Sequence, residues 1–129
     1  MADKIILVDT SILIDYFRKS DKSNSKLISL IREGYKFQVS SVTEYEIFAG
    51  STPGQQKYWK EFLEKIKVLP FDQDAVKAAV EINSKLKLKS KQIAIADLFI
   101  AATAISNDLP FATLNRKHFD RIDGLLIIS

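Results

Sequence analysis

The hydrophobic positions of this chain fall into short unbroken runs that alternate with longer stripes of helical period. The first run, Ile5 to Val8 within KIILVDTSILIDYF, is aliphatic throughout and bounded by polar residues. This is the pattern of a strand buried on both faces, as in parallel sheets covered by helices. Directly after it, Ile12, Leu13, Tyr16 and Phe17 recur at helical offsets, so a helix begins where the strand ends. A loop then feeds a second helix carrying Leu27, Ile28, Leu30 and Ile31 and closed by Gly34, a natural C-cap residue.

Lys36 to Ser40 reads as a second strand, and Ser41 or Thr43 can cap a third helix running to Gly50. Pro53 opens a fourth helix in which Trp59, Phe62, Leu63 and Ile66 recur at helical spacing. Lys67 to Phe71 predicts a third strand, with Pro70 marking an edge or a strand end because proline donates nothing to a ladder. Gln73 to Leu88 predicts a long helix with Val76, Ala79, Val80 and Leu86 inward, passing into the basic KLKLKSK. A very apolar helix follows over about Ile95 to Asn107, then a strand at Phe111 to Thr113, a turn or short helix at Arg116 to Asp120 and a last strand at Leu125 to Ile128.

Strands alternating with helices predict an α/β domain, a parallel sheet of about five strands sandwiched between helical layers. A chain of 129 residues with 47% hydrophobic and 27% charged positions is expected to form one domain, residues 1–129, and belongs to neither the disordered nor the fibrous class. The absence of cysteine excludes disulfides and thiolate metal sites. The N-terminus lacks a leader pattern and no apolar run approaches the roughly 18 residues of a membrane span, so a cytoplasmic protein without a membrane partner is expected. A net charge of +3 mildly favours a polyanionic partner without establishing nucleic-acid binding.

Candidate chemistry lies in acids placed where a structural acid is unexpected. Asp9 stands at the carboxyl end of the first strand, the edge where such sheets bind ligands; its competing role is that of an N-cap, shared with Thr10 and Ser11. In the third helix, with about 100° per residue, Glu46 falls about 40° from Val42, on the face shared with Tyr45 and Ala49, whereas Glu44 points to solvent. Gly50 either leaves clearance beside Glu46 or merely ends the helix.

From Ile93 to Ile105 only Asp97 and Thr103 are not hydrophobic, so this helix is expected to be buried all round, with small residues Ala94, Ala101 and Ala104 leaving space. A carboxylate there costs several kcal/mol unless paired or bound to a cation, and no basic residue lies within the window. The alternative is a capping aspartate at the helix start. Three carboxylates from three elements suit a hard divalent cation, Mg²⁺ or Mn²⁺, of the kind that assists phosphodiester hydrolysis.

The pieces ILVDTSILIDYF, SSVTEYEIFAG, IAIADLFIAATAISNDLPFATLN and TLNRKHF span almost the whole chain, and in this order and spacing they resemble the PIN-domain family, specifically its VapC-like toxins. The resemblance implies a Mg²⁺- or Mn²⁺-dependent endoribonuclease, a homodimer, RNA as substrate, and inhibition by a small antitoxin that inserts a segment near the site. Carried over by position, Asp9, Glu46 and Asp97 are the acidic ligands, directly or through water. Asn115 stands where many relatives have a fourth Asp, so one metal is the expectation, and Asn115 has either a site role or a turn role. Asp120 is a weak substitute for it.

Ser11 and Thr113 either orient a ligand or act as plain caps. His118 is expected to be a surface or structural residue and not a general base. Lys85 to Lys91, Arg116 and Lys117 either hold RNA phosphates or form a solvated face. Two other classes compete. A haloacid-dehalogenase-type phosphoryl hydrolase needs a second Asp where Ser11 stands, and a catalytically silent binding module would act only within a protein complex.

Overall fold

The computed structural model describes residues 4–128, so the first three residues and the last of the expected domain lie outside the described residues. Strand β1 (Lys4–Val8) lies between β2 (Tyr35–Ser40) and β4 (Phe111–Ala112), with β3 (Val68–Leu69) beyond β2. The four strands have the order β3-β2-β1-β4, and every pair is parallel. Leu7 and Val8 are opposite Phe111 and Ala112, and Ile6 is opposite Phe37.

The strand expected over Leu125 to Ile128 is reduced to a single parallel bridge between Phe111 and Ile127. The Phe111 N–H donates to the Leu126 carbonyl at 2.8 Å, and the Ile128 N–H to the Phe111 carbonyl at 2.9 Å. β4 offers only two residues of ladder, so a fifth strand has little length to pair with. β3 is equally short because Pro70 follows it at the sheet edge.

The connecting helices are α1 (Thr10–Arg18), α2 (Lys26–Arg32), α3 (Ser41–Ala49), α4 (Pro53–Leu63), α5 (Gln73–Leu88), α6 (Ile95–Ser106) and the short α7 (Arg116–Phe119). Side chains alternate across a strand, and β1 divides accordingly. Ile6 and Val8 pack with Leu13, Leu27, Leu30, Ile47 and Trp59 on the face covered by α1, α2 and α4. Leu7 packs with Ile82, Leu86, Ile100, Phe111 and Phe119 on the face covered by α5, α6 and α7. Three layers result, with Ile6, Leu7 and Val8 of β1 fully enclosed.

Local signals set several helix ends as the sequence implies. Thr52 and Gln55 form a reciprocal capping box ahead of Pro53 at the first position of α4. Gly34, just past α2, has φ of +97°, the left-handed conformation glycine adopts without strain. Helix phase, in contrast, is rotated from expectation in two places.

α5 buries Ala75, Ala79, Ile82 and Leu86, while Val76 and Val80 are 44% and 62% exposed. Both stripes have helical spacing, and packing of α5 against α6 selects the one that interlocks. α3 buries Thr43 and Ile47, leaving Tyr45 72% exposed. Its cap is Ser40, whose Oγ accepts the Thr43 N–H at 3.0 Å, one residue earlier than Ser41. α6 is buried at Leu98 and from Ile100 to Ala104, but its first turn is open, with Ile95 67% exposed.

The corrected phase of α5 is testable by urea denaturation: Ile82→Ala is expected to cost about 2–5 kcal/mol, whereas Val80→Ala changes stability by less than about 0.5 kcal/mol.

Candidate active site: an acidic cleft at the carboxyl edge of the sheet

β1 is followed on one side by β2 and β3 and on the other by β4, so the strand order reverses next to β1, at the point where open α/β sheets bind ligands. Asp9 leaves β1 there. Its N–H donates to the Ala112 carbonyl at 2.9 Å, and its side chain is 3% exposed. The carboxylate makes no capping bond to α1. Its Oδ2 instead accepts the Ser11 hydroxyl at 2.8 Å and the Thr113 hydroxyl at 2.7 Å.

Those hydroxyls are themselves held. Ser11 Oγ accepts the Leu114 N–H at 3.0 Å, and Thr113 Oγ1 accepts the Asn115 N–H at 2.9 Å. Ser11 and Thr113 are therefore supports of a buried carboxylate and not plain caps.

Glu46, beside the buried Ile47 on α3, is half-buried and lines the same cleft, while Glu44 does not. Its Oε1 accepts the Thr10 hydroxyl at 2.7 Å. Gly50 is the C-cap of α3 with φ of −90°, and a Cβ there would meet only the Glu46 backbone carbonyl, at 3.3 Å. Its contribution is to the helix end, not to clearance around the carboxylate.

Asp97 occupies the first turn of α6, with a side chain 22% exposed. The space around it comes from Ala94 and Ala96, which line the cleft, whereas Ala101 and Ala104 are in the core. The partner missing from its own helix is supplied by α7: His118 Nδ1 lies 3.3 Å from Asp97 Oδ2. His118 is 59% exposed and thus a surface residue, yet it touches the site.

Burial, and next the neighbouring Asp9 carboxylate, push the Asp97 carboxyl above its ordinary range; Glu46 adds to this and His118 opposes it. Asp97 thus senses both other acids across an open cleft of about 780 Å³.

Asn115 lines this cleft, and its side chain makes no cap bond to α7. Asp120 is exposed beyond α7 and does not line it. The basic residues of the cleft are Arg18 and Lys19, on the last turn of α1. Lys85 and Lys89 border a different groove, and Arg116 and Lys117 are exposed outside the cleft lining. The residues missed by sequence reasoning are Thr10, Arg18, Lys19 and the pairing role of His118. Helical spacing from Ser11, which reaches Arg18 seven residues on, is the signal that could have pointed to this rim.

The donors facing the cleft are four carboxylates, the Asn115 amide and one imidazole; Asp15 is engaged by Lys19 at 3.7 Å and by the Lys26 N–H at 3.0 Å, which leaves Asp9, Glu46 and Asp97 as a set suited to a hard divalent cation. Among the described residues no three acidic, histidine or cysteine side chains are gathered closely enough to enclose an ion. Oxygen donors of this kind suit a cation that retains waters and takes one or two carboxylates directly, the habit of Mg²⁺.

A three-layer α/β domain carrying a buried, hydroxyl-supported aspartate at the strand-order reversal, with two further acids converging on it, defines a class of acidic-cleft proteins. The PIN domain family profile matches residues 6–125, and the chain belongs to this family. The chain is similar to ribonuclease VapC1 of Methanocaldococcus jannaschii, at 36% identity over 118 residues, which is 91% of this chain and 80% of that protein. Ribonuclease VapC10 of Mycobacterium tuberculosis is 28% identical over 121 residues, covering 94% and 90%.

Among solved structures, VapBC2 from Rickettsia felis bound to a DNA fragment from its promoter matches with a TM-score of 0.83 at 25% identity, over 96% of this chain and 97% of that one. FitAcB from Neisseria gonorrhoeae matches with a TM-score of 0.78 at 26% identity, over 95% and 96%.

The raised Asp97 pKa has a signed consequence. The folded state holds the Asp97 proton more tightly than the unfolded state, so metal-free stability falls as pH rises from the ordinary carboxylate range through the raised folded value. Asp97→Asn is expected to flatten that decline and to melt above the wild type at pH 7 in EDTA, with the two converging at acid pH.

Proposed function

We propose that this protein is a Mg²⁺- or Mn²⁺-dependent endoribonuclease, the toxin of a type II toxin–antitoxin pair, which hydrolyses RNA phosphodiester bonds in the cleft. The observation that carries the reading is the convergence of Asp9, Glu46 and Asp97 from three elements on one open cleft. Relatives named ribonucleases and structural neighbours described as toxin–antitoxin assemblies support it.

Asp9, Asp97 and Glu46 would hold the cation, with Asn115 contributing a neutral oxygen at most. When bound, the cation supplies a more acidic water and neutralises charge on the phosphate. The chain's own residues do the rest. Ser11 and Thr113 hold the Asp9 carboxylate at one oxygen, and His118 restrains Asp97. Arg18 and Lys19 on the rim offer positive charge to the phosphates flanking the scissile bond. Hydrolysis adds the water oxygen to phosphorus, breaks one P–O ester bond and returns a proton to the leaving oxygen.

A homodimer, an antitoxin that covers this cleft and a cytoplasmic setting complete the reading. Among the described residues no helix is long and apolar enough to cross a membrane. A catalytically silent module has no use for a buried carboxylate held by two hydroxyls, so the enzyme is preferred.

Asp9→Asn, Glu46→Gln and Asp97→Asn are each expected to lower RNA cleavage in Mg²⁺ by at least about a hundredfold while the chain stays folded. His118→Ala is expected to lower it less. Near-wild-type cleavage by Asp9→Asn would remove the basis of the proposal.

A further inference from the structure

Thr10, the first residue of α1, directs its side chain across to α3, where Oγ1 lies 2.7 Å from Glu46 Oε1 and 3.0 Å from Thr43 Oγ1. Behind it, Thr43 and Ser40 are both fully buried. Ser40 Oγ lies 3.3 Å from Thr43 Oγ1 and accepts the Thr43 N–H at 3.0 Å. Three hydroxyls from β2, α3 and α1 thus form a chain that ends on one oxygen of Glu46.

The direction of that chain is set by counting protons. A hydroxyl has one proton to give, and an ionised carboxylate at 2.7 Å is a stronger acceptor than a neutral hydroxyl at 3.0 Å. Thr10 therefore gives its proton to Glu46 in preference to Thr43. Ser40 donates to Thr43 behind it. The two buried hydroxyls hold Thr10 in place in surroundings of low dielectric, where its bond to the carboxylate is strengthened. In the reverse order Thr10 would donate to Thr43, and the Glu46 oxygen facing it would lose its donor.

We infer that Thr10 is a positioning residue of the cleft, backed by Thr43 and Ser40. It fixes Glu46 through Oε1 and leaves Oε2 to serve a divalent cation or a water bound to it. This inference rests on the metal-dependent reading of the site. It makes Thr10 the counterpart, for Glu46, of what Ser11 and Thr113 are for Asp9. A thread of hydroxyls with no metal role would tie α1 to α3 and affect stability alone.

The test is Mn²⁺ titration by calorimetry, with melting recorded on the same metal-free samples. Thr10→Val keeps the side chain's shape and removes the hydroxyl; Thr10→Ser restores it. Thr10→Val is expected to weaken Mn²⁺ binding by roughly tenfold, the lower end of what loss of an outer-sphere partner costs, and Thr10→Ser to stay within about threefold of wild type. Thr43→Val, which removes only the hydroxyl behind Thr10, is expected to have a smaller effect. In a Glu46→Gln background, Thr10→Val is expected to add no further loss, because the two act as one unit.

Weakened binding in Glu46→Gln with unchanged binding in Thr10→Val would overturn the positioning role and leave the metal site standing. Unchanged binding in both would remove Glu46 from the metal site and the inference with it. Lower melting temperatures with wild-type Mn²⁺ affinity in Thr10→Val and Thr43→Val would assign the hydroxyl chain to fold stability and overturn the inference. A Thr10→Ser protein as weak as Thr10→Val would do the same.

Discussion

The buried carboxylate of Asp9 is the constraint on which the functional end of this molecule depends. A charge that is 3% exposed carries a desolvation cost of several kcal/mol unless donors replace its water. Two hydroxyls do so, and each hydroxyl oxygen then accepts a backbone N–H from the turn after β4. The turn from Thr113 to Asn115 is therefore wrapped around the carboxylate that β1 delivers. The same hydrogen bonds that satisfy the charge also position Asn115 and begin α7, whose His118 reaches Asp97. One buried oxygen atom thus links the centre of the sheet to the far wall of the cleft.

Sheet order explains why so few residues suffice. With β1 central, its carboxyl end is flanked by the segments that leave β2 and β4. Helix α3, beginning at Ser41, brings Glu46, and the turn beyond β4 brings Thr113 and Asn115. The acids are treated differently by their surroundings. Asp9 and Glu46 each have an oxygen held by hydroxyl donors. Asp97 is opposed by its own burial and by both other acids, with one exposed imidazole in partial compensation. Excess negative charge in the metal-free cleft is the condition under which a divalent cation gains most from binding.

Helix phase shows where pattern reading loses its footing. In α5, Val76–Ala79–Val80–Leu86 and Ala75–Ala79–Ile82–Leu86 are both valid helical stripes, sharing Ala79 and Leu86 and rotated by about 65° from one another. The chain alone contains no reason to choose. Small alanines let α6 approach closely, and the stripe that includes Ala75, Ala79 and Ile82 is buried. In α3 the choice falls to Ser40, because its cap bond to the Thr43 N–H starts the helix one residue earlier and turns Thr43 and Ile47 inward. Glu46 reaches the cleft from beside Ile47, not from a face shared with Tyr45.

The alternation of strands and helices and the parallel sheet were legible in the chain, and three acids stood out in it as candidates, because these depend on short-range patterning and on the cost of burying a charge in apolar surroundings. Asp9 after an aliphatic run and Asp97 in an apolar helix are visible one residue at a time. Tertiary structure decided what each acid touches. Thr10 with Glu46, Thr113 with Asp9 and His118 with Asp97 are pairs separated by many residues, and each forms because two elements end at the same sheet edge. The truncation of the fifth strand to one bridge is also a tertiary outcome, set by a β4 only two residues long. Local pattern specifies elements and their chemistry; which side chains meet depends on packing distances that no stretch of sequence contains.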